Sequence, residues 1–377
     1  MSVPLEQQNK TRDADFSKAM HGSSAKTGAF TAMFTKDKKA HNAAVDEYFK
    51  FWEEGKGEAR MGEEDSERRR HYATLTRQYY NLATDLYESA WGHSFHFCRF
   101  YSAEPFMQAI ARHEHYLAAK IGITENSSVL DVGCGIGGPA REICRFTDCN
   151  IVGLNNNDYQ IERAMMHTER AGLTPKMKYV KGDFMQMDFE PNSFDFVYAI
   201  EATVHAPSLE GIYGQIFKVL KPGGRFGVYE WLMTDKYDAS NTDHKRICHG
   251  IEVGNGISNM CKISEAIRAM KAVGFELEFN EDLAARPDPV PWYYPLSGEF
   301  KYARNLYDLF TVLRITKWGQ AVVHGFVGIM ETVGLAPKGT QKTANNLSVA
   351  AVSLVEGAQK ELFTPMYLMI ARKPSNA

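Results

Sequence analysis

The stretch VLDVGCGIGGPA (129–140) decides the fold of this chain. In it Gly133, Gly135 and Gly138 satisfy the spacing G-x-G-x-x-G, directly after an apolar run and directly before a helical pattern. Glycines at such positions let the backbone turn sharply and approach a ligand without a Cβ in the way. We therefore expect a ligand-binding loop between a strand and a helix. A glycine turn that serves packing alone is the alternative, and the spacing also describes dinucleotide sites.

Downstream of this loop, short apolar runs alternate with helical patterns. The runs lie at 128–132, 150–154, 177–180, 194–200, 225–231 and 275–279, and the helical patterns at 138–146, 157–171, 208–220 and 263–273. Such alternation predicts a parallel sheet with helices on both faces, because parallel strands need crossover connections. For the last of these helices we expect Ser264 as the N-cap and Gly274 as the terminator.

The alternation lapses after residue 283. A Pro-rich aromatic loop (286–296) is followed by helical patterns at 299–316, 318–334 and 344–360, and then by a strand-like run at 365–373. The economical interpretation is a helical insertion of about eighty residues before the last strand of the sheet.

The amino-terminal third differs in composition. Residues 1–41 are polar with little periodicity, which predicts a mobile leader; a helix is expected over 43–52, and the charged run 53–70 reads as a solvated segment. In the stretch YYNLATDLYESAWGHSFHFCRFY (79–101), by contrast, ten positions are Tyr, Phe, Trp or His. That stretch is either an ordinary buried helix, with a structural role alone, or the wall of a ligand-binding pocket.

Composition excludes several classes of protein. The 377 residues carry 43 Lys plus Arg against 46 Asp plus Glu, which argues against general binding to nucleic acid. Six Cys without any C-x-x-C pair argue against a zinc framework or a disulfide scaffold and favour a reducing compartment, and we expect no metal. Neither a signal peptide nor a stretch of about 20 apolar residues is present, so we expect no transmembrane segment.

Two positions near the loop separate the possible ligands. Asp131 precedes Gly133 by two residues, where a carboxylate can accept hydrogen bonds from loop amides or a cationic ligand but suits a pyrophosphate poorly. The next strand ends in GLNNND (153–158), where a nicotinamide site favours an acidic residue for the ribose. Asn155 is neutral, although its side-chain oxygen can still accept from a hydroxyl, and Asp158 is the acidic alternative or a helix cap.

The segments LDVGCGIGGPA, KGDF (181–184) and LKPGG (220–224) resemble class I S-adenosylmethionine-dependent methyltransferases. The resemblance implies an α/β fold of Rossmann type, a seven-stranded, mostly parallel sheet whose last strand is antiparallel, and S-adenosyl-L-methionine as the cofactor. It implies contacts of Gly133, Cys134 and Gly135 with the methionine part. Asn155 would contact the ribose, and Asp183 and Phe184 the adenine. We also expect Asp131 to bind the cofactor. LKPGG would form the turn that leads into the fifth strand.

A narrower resemblance, to fungal sterol 24-C-methyltransferases, runs from about residue 72 to the end of the chain. It is carried by YESAWGHSFHFCRFY, ARHEHYLA, VGLNNNDYQI, YAIEATVHAP, YEWLMTDKY and PWYYPL. In the first segment Ser89 and Ala90 replace the Tyr-Gly that family sequences often show. The resemblance divides the chain into a leader with an exposed helical segment (1–70), an aromatic helical segment of the sterol pocket (71–127), the cofactor-binding core (128–283) and a carboxy-terminal sterol region with the final strand (284–377).

The reaction implied by this family methylates carbon 24 of a sterol side chain with a 24,25 double bond, in ergosterol biosynthesis. A π bond is the nucleophile, so the site must stabilise a transient carbocation, permit a hydride shift and accept a proton. We expect Glu201, Glu88, Tyr87 and His205 to be the catalytic candidates, Glu201 and Glu88 as possible terminal bases. Aromatic faces stabilise cations, and the expected sterol-binding residues are Tyr87, Trp91, Phe95, Phe97, Trp292 and Tyr293.

Partners and location follow from the same resemblance. We expect a sterol of the zymosterol or lanosterol type, peripheral contact with a membrane or lipid droplet at the cytoplasmic face of the endoplasmic reticulum, and a homo-oligomer. A class I methyltransferase with another lipid or small-molecule acceptor is the first alternative. A non-catalytic lipid- or adenosyl-binding protein and a nicotinamide oxidoreductase are the others. His113 and His115, two positions apart on a helix, point to different sides and do not suit a shared metal.

Overall fold

The computed structural model describes residues 5–22, 27–53, 67–303 and 306–376. Fourteen helices are named here in chain order within that part: α1 Lys10–His21, α2 Ala29–Thr35, α3 Lys38–Glu53, α4 Tyr72–Ala90, α5 Phe106–Ile121, α6 Gly138–Thr147, α7 Asp158–Arg170, α8 Leu209–Val219, α9 Thr242–Asn255, α10 Ile263–Ala272, α11 Tyr294–Ser297, α12 Leu306–Ile315, α13 Lys317–Thr332 and α14 Thr340–Gln359. The expected helical patterns from 138 onward correspond to α6 and the helices that follow it.

One seven-stranded sheet forms the centre of the molecule. Its strands are β1 Ser128–Val132, β2 Asn150–Asn155, β3 Met177–Lys181, β4 Phe194–Ile200, β5 Leu220–Met233, β6 Glu276–Asp282 and β7 Phe363–Arg372. The spatial order is β3-β2-β1-β4-β5-β7-β6, and β7 runs antiparallel to both of its neighbours. The pairs from β3 across to β5 are parallel. The expected sheet, with an antiparallel last strand, is confirmed.

The sheet is buried on both faces. Val129 packs into a hydrophobic cluster on one face, and Leu130, the next residue, packs into a second cluster on the other face. Because successive side chains of a strand point to opposite faces, a strand covered on both sides must be apolar throughout, as SVLDV nearly is. Leu130 and Val132 are fully buried, so the central strands hold the following glycine loop on a rigid base.

The mobile leader expected over residues 1–41 is wrong for the described part of that segment. Residues 10–53 contribute α1, α2 and α3, which contact α4 and α7. Met20 is fully buried, and the Lys36 ammonium lies 2.8 Å from the buried Asp85 carboxylate of α4. The helix expected over 43–52 is present as α3, whereas α1 and α2 were not expected. The buried face of α1 includes the polar residues Asp13 and Ser17, so this helix lacks the apolar stripe that periodicity detects. Most of the charged run 53–70 lies outside the described residues.

Two local expectations also need correction. The helix that begins at Ile263 has Lys262, not Ser264, at its N-cap, and the Glu265 side chain accepts the Lys262 backbone N–H at 2.7 Å. Gly274 ends this helix as expected, at φ +103°. LKPGG does not precede the fifth strand but forms the start of β5 itself, with a register shift opposite Phe194 and Phe196.

Helices α12 and α13 carry a broad exposed apolar surface, which we call the α12–α13 surface. Its members are large hydrophobic side chains that solvent reaches: Leu306, Leu309, Phe310, Leu313, Trp318, Val322, Phe326 and Ile329. Leu306 and Trp318 are each 85% exposed. In the described part of the chain, every helix falls short of the length and apolar content that crossing a bilayer requires.

Candidate active site

A cavity opens at the carboxyl ends of β1, β2 and β4. This is where ligands bind in open α/β sheets, at the point where the strand order reverses. Its walls contain nine of the residues expected from the sequence: Gly133, Cys134, Gly135, Asn155, Asp183, Phe184, Phe95, Glu201 and His205. The structure therefore brings residues from the glycine loop, three strand ends and the aromatic stretch into one site.

The glycine loop is shaped by close approach of backbone to backbone. Gly133 has φ +81°, and a Cβ at this position would lie 2.3 Å from the Cβ of Ala202. The amides of Gly133 and Cys134 both donate to the Leu154 carbonyl, which ties the loop to the end of β2. A Cβ on Gly138 would meet the His93 carbonyl oxygen at 2.1 Å, so the aromatic stretch lies directly against the loop.

The far end of the cavity presents acceptors that suit a nucleoside. The Asp183 carboxylate accepts from the Met185 N–H at 2.9 Å, from the Gln186 amide at 3.1 Å and from the Tyr72 hydroxyl. A carboxylate has about four acceptor positions, so one is left for an exocyclic amine. The Asn155 amide donates to Gln160 at 2.7 Å, which leaves its carbonyl oxygen as an acceptor for a hydroxyl.

Asp131 lies beneath the loop and does not belong to the cavity wall. It is almost completely buried on β1. Its Oδ2 atom makes no hydrogen bond of good geometry within the described residues, although the Tyr198 hydroxyl is near enough to oppose the rise in the pKa of Asp131. Burial raises the pKa of this carboxyl to about 7. An unsatisfied buried carboxylate oxygen costs free energy, and a cationic ligand group at the loop would relieve it. This observation, with the acceptors at the far end, fits a ligand that combines a charged amino acid part and a nucleoside.

Glu201 follows β4 directly and is held in an unusual backbone conformation. Its φ is +54°, a left-handed value that side chains other than glycine rarely adopt. The Glu201 N–H donates to the Tyr229 carbonyl at 2.9 Å, and its Oε1 accepts the Phe97 N–H at 2.7 Å. Burial raises the pKa of Glu201 to about 8, against the opposing effects of His96 and of the Phe97 N–H. A carboxyl near neutrality in a buried pocket suits a general base.

His205 is a neutral ring with a defined tautomer. Its Nδ1 lies 3.1 Å from the Gly256 carbonyl and therefore donates, which makes Nε2 the acceptor for the Tyr80 hydroxyl at 3.2 Å. Burial lowers the pKa of His205 to about 4. The ring can therefore orient Tyr80, but it does not take up a second proton at neutral pH and stays uncharged.

The aromatic candidates meet in one cluster behind Glu201. Phe97 packs against Trp292 at 4.8 Å, Trp91 at 5.4 Å and Trp231 at 5.8 Å between ring centroids. Tyr293 joins through Trp292 at 5.7 Å. The rings from the aromatic stretch, β5 and the 286–296 loop thus converge, although these five rings pack on one another and do not form the cavity wall. Tyr87 contacts the wall residue Phe95 at 5.5 Å.

Glu88 is not brought into the cavity wall. Both of its carboxylate oxygens accept from the Arg163 guanidinium, at 2.5 and 2.6 Å, and Oε1 lies 3.0 Å from His167. Burial acts to raise the pKa of Glu88, but the His167 and Arg163 hydrogen bonds outweigh it and lower the pKa to about 2. Its geometry is therefore that of an ion-pair partner.

Three side chains of metal-binding type come together beside the cavity, and one of them, His93, belongs to its wall. Potential ligand atoms of Glu88, His93 and His167 lie within 4.8 Å of one another. Arg163 already binds both Glu88 oxygens, so its guanidinium neutralises the carboxylate that would otherwise serve as a ligand to a metal ion. His113 and His115 separate as expected: His113 is buried against Tyr229, and His115 pairs with Glu142 at 3.0 Å.

Sequence reasoning missed several wall residues, chief among them Tyr72, Tyr80 and His96. Tyr72 and Tyr80 lie on α4, where they look like members of an ordinary buried helix. His96 lies inside the quoted aromatic stretch but was not singled out, because a lone histidine among aromatic residues gives no sign of its partner. That partner, Glu114, lies on α5.

Comparison with known families gives two matches. The family described as Methyltransferase domain matches residues 130–228, which contain the glycine loop and Glu201. The family described as Sterol methyltransferase C-terminal matches residues 310–375, which include most of α12, all of α13 and α14, and β7.

Individual relatives match over nearly the whole chain. The sterol 24-C-methyltransferase erg6 of Aspergillus fumigatus is 64% identical over 99% of this chain and 99% of its own length. The sterol 24-C-methyltransferase ERG6A of Gibberella zeae is 61% identical over 98% of each chain. Among solved structures, geranyl diphosphate C-methyltransferase from Streptomyces coelicolor superposes with a TM-score of 0.57 at 14% identity, covering 80% of this chain and 98% of its own, which shows the shared fold.

Proposed function

The chain belongs to the sterol 24-C-methyltransferase family, and from this premise we propose how its cavity acts. The protein is a methyltransferase that uses S-adenosyl-L-methionine to methylate carbon 24 of a sterol side chain in ergosterol biosynthesis. The roles given below to individual residues are the proposal. The observation that supports it most is the position of Glu201, which shares the cavity wall with the glycine loop and is bonded to the aromatic stretch through Phe97.

The cofactor-binding residues are assigned along the cavity. We propose that Gly133, Cys134 and Gly135 accommodate the methionine part, with Asp131 beneath them as the counter-charge for its ammonium group. Asn155 would accept from a ribose hydroxyl, and Asp183 from the adenine amine beside Phe184. When bound, S-adenosyl-L-methionine supplies an electrophilic methyl group on a positively charged sulfur.

The protein's contribution to methyl transfer is positioning. The nucleophile is the 24,25 π bond of the sterol, which needs no activation by a serine, a cysteine or a metal. Alignment of reacting groups can supply about 7–11 kcal/mol of the barrier. The new carbon–carbon bond at carbon 24 would form as the methyl–sulfur bond breaks, with the electron pair of that bond remaining on sulfur. The cation then left at carbon 25 would be stabilised by the ring faces of Phe95 and Tyr87, with the Trp91, Phe97 and Trp292 cluster behind them.

The last step needs a proton acceptor inside the cavity. After a hydride moves from carbon 24 to carbon 25, a proton leaves the new methyl carbon and a methylene group forms. We assign Glu201 as the acceptor because it is the wall carboxylate bonded to the aromatic stretch, whereas Asp183 lies at the nucleoside end and Glu88 is held by Arg163 and His167. His205 orients Tyr80 at the same wall. Trp292 and Tyr293 lie in the loop that would cover the sterol and exclude water.

Larger parts of the molecule receive proposed roles as well. We assign residues 71–127 and 284–377 to the sterol pocket, residues 128–283 to cofactor binding, and residues 1–70 to an outer cover. The α12–α13 surface would rest on the endoplasmic reticulum or a lipid droplet, since an exposed apolar surface of this size favours contact with lipid. The homo-oligomer that the family implies is a separate proposal, tested by the mass of the protein in solution.

Incubation with methyl-labelled S-adenosyl-L-methionine and a sterol panel tests the function. Label should enter zymosterol- and lanosterol-type sterols, and sterols that lack the 24,25 double bond should stay unlabelled. Glu201→Gln should bind the cofactor normally yet lose turnover at least a hundredfold, because no acceptor is left for the proton. Glu88→Gln is the matched comparison and should retain much more activity. Labelling of saturated side chains or of polar head groups would contradict the function.

A further inference from the structure

A buried histidine–glutamate pair lies beside the proposed base. His96 and Glu114 are each almost completely buried, and the His96 Nε2 atom lies 3.0 Å from a Glu114 carboxylate oxygen. The other ring nitrogen of His96, Nδ1, lies 2.8 Å from the Phe97 carbonyl oxygen. Both nitrogens of the ring therefore face acceptors.

This geometry fixes the charge of the ring. A carbonyl oxygen only accepts, so Nδ1 carries a proton, and a carboxylate also only accepts, so Nε2 carries the second. The buried ring is then an imidazolium paired with the Glu114 carboxylate. Burial acts to lower the pKa of His96, but the hydrogen bond and the charge of Glu114 outweigh it and raise that pKa. The neighbouring ring of His113 stays neutral, since burial and then His96 lower its pKa.

The imidazolium lies next to Glu201. His96 and Glu201 both belong to the cavity wall, and the residue after His96 donates its backbone N–H to Glu201 at 2.7 Å. The other titratable groups that interact electrostatically with Glu201 come from three segments. They are Tyr80 and Tyr87 of α4, Cys98 after it, and Glu230 of β5. His96 is the cation of this set, and its charge favours the ionised form of Glu201.

We propose that the Glu114–His96 pair is a positioning unit that shifts Glu201 toward its carboxylate form and holds it, through the 96–97 peptide, toward the reacting sterol carbon. Neither residue touches the substrate in this role; both act through Glu201. The pair is neutral in sum, so the charge that it leaves beside the reacting carbon is that of the ionised form of Glu201, where a carbocation must be stabilised. The proposal rests on the proposed function, because it gives a role to the base assigned there.

The test replaces the charge and keeps the hydrogen bond. In Glu114→Gln the amide N–H donates to Nε2, so the His96 ring becomes neutral. Without that cation the Glu201 carboxylate is less favoured, and the acidic limb of the kcat profile should move to higher pH by about one unit. A shift of one unit means about tenfold lower kcat at pH values below the limb. Cofactor affinity should stay unchanged. His96→Gln removes the same charge and should show the same shift if Glu114→Gln folds poorly.

A matched control exists at the surface. His115 and Glu142 form a pair with the same 3.0 Å separation, but both side chains are about one third exposed. Glu142→Gln should leave the kcat profile unchanged. Acidic limbs at the wild-type pH in both Glu114→Gln and His96→Gln would overturn the inference. If Glu201→Gln keeps full turnover, the base assignment is wrong instead, and an inactive wild-type protein on every sterol would overturn the function itself.

Discussion

At the scale of the single residue, Glu201 combines features that oppose stability. It has a left-handed φ of +54° and a buried carboxyl whose pKa burial raises to about 8 from 4.5. Strained backbone and poorly solvated charge persist only where surrounding structure imposes them, and they are concentrated at functional sites. Here the end of β4, the Tyr229 carbonyl and the Phe97 N–H impose them. A residue that costs folding free energy in both ways is thus the one assigned to proton removal.

The raised pKa of Glu201 predicts how the free energy of unfolding changes with pH. The folded state binds the Glu201 proton more tightly than the unfolded state, so folding stability falls as pH rises from about 4.5 to about 8. Glu201→Gln removes that loss and should exceed wild type in the free energy of unfolding at pH 8.5, on the order of 2 kcal/mol. At pH 4 the two proteins should agree closely. Urea unfolding without cofactor measures this; equal stability at pH 8.5 would show that Glu201 is not a costly buried acid.

At the scale of the element, α4 connects the amino-terminal helices to the cofactor site. On one side Asp85 of α4 pairs with Lys36, and on the other side the Asn157 amide of the β2–α7 turn donates to Asn81 at 2.8 Å. Tyr159 of α7 also donates to Asp85 at 2.5 Å. A change in the packing of α2 and α3 is therefore expected to alter the positions of the residues that follow Asn155, because α4 contacts both.

Removal of Lys36 should show this connection. Lys36→Met leaves the Asp85 carboxylate buried, with the Tyr159 hydroxyl as its remaining side-chain donor among the described residues, and breaking such a buried pair costs about 3–5 kcal/mol. We expect thermal unfolding at a clearly lower Tm. The double change Lys36→Met with Asp85→Asn should recover most of the loss, because the unpaired charge is gone while an acceptor for Tyr159 remains. A single variant as stable as wild type would contradict a supporting role for the pair.

At the scale of the whole molecule, apolar exposure is concentrated at one end of the chain. The α12–α13 surface presents Phe310 at 74% and Trp318 at 85% exposure. Isolated exposed hydrophobic residues are normal, but a contiguous group indicates an interaction surface. Sterols scarcely dissolve in water, so a lipid surface as the partner would place the enzyme where its substrate lies.

The double change Phe310→Ser with Trp318→Ser tests that partner. It should weaken sedimentation with phosphatidylcholine vesicles at least tenfold, since each side chain removes a large apolar area from the contact. Turnover of detergent-dispersed sterol should stay near wild type. Met165→Ser is the control, because Met165 of α7 is 56% exposed outside this surface. Unchanged vesicle binding would contradict the contact with lipid. If the mass of the variant in solution also fell, the surface would be assigned to contacts between copies of the chain.

The sequence by itself determined the sheet, its strand bounds within a few residues, and the loop of Gly133 and Gly135. These features depend on local periodicity and on backbone conformations that only certain residues adopt. Only the tertiary structure distinguished Glu201 from Glu88, because the Arg163 that holds Glu88 lies 75 positions away in the chain. The same holds for His96 with Glu114 and for Lys36 with Asp85. The role of a charged side chain depends on its partners and on its burial. Both are set by residues far away in the chain, so the neighbouring sequence does not reveal them.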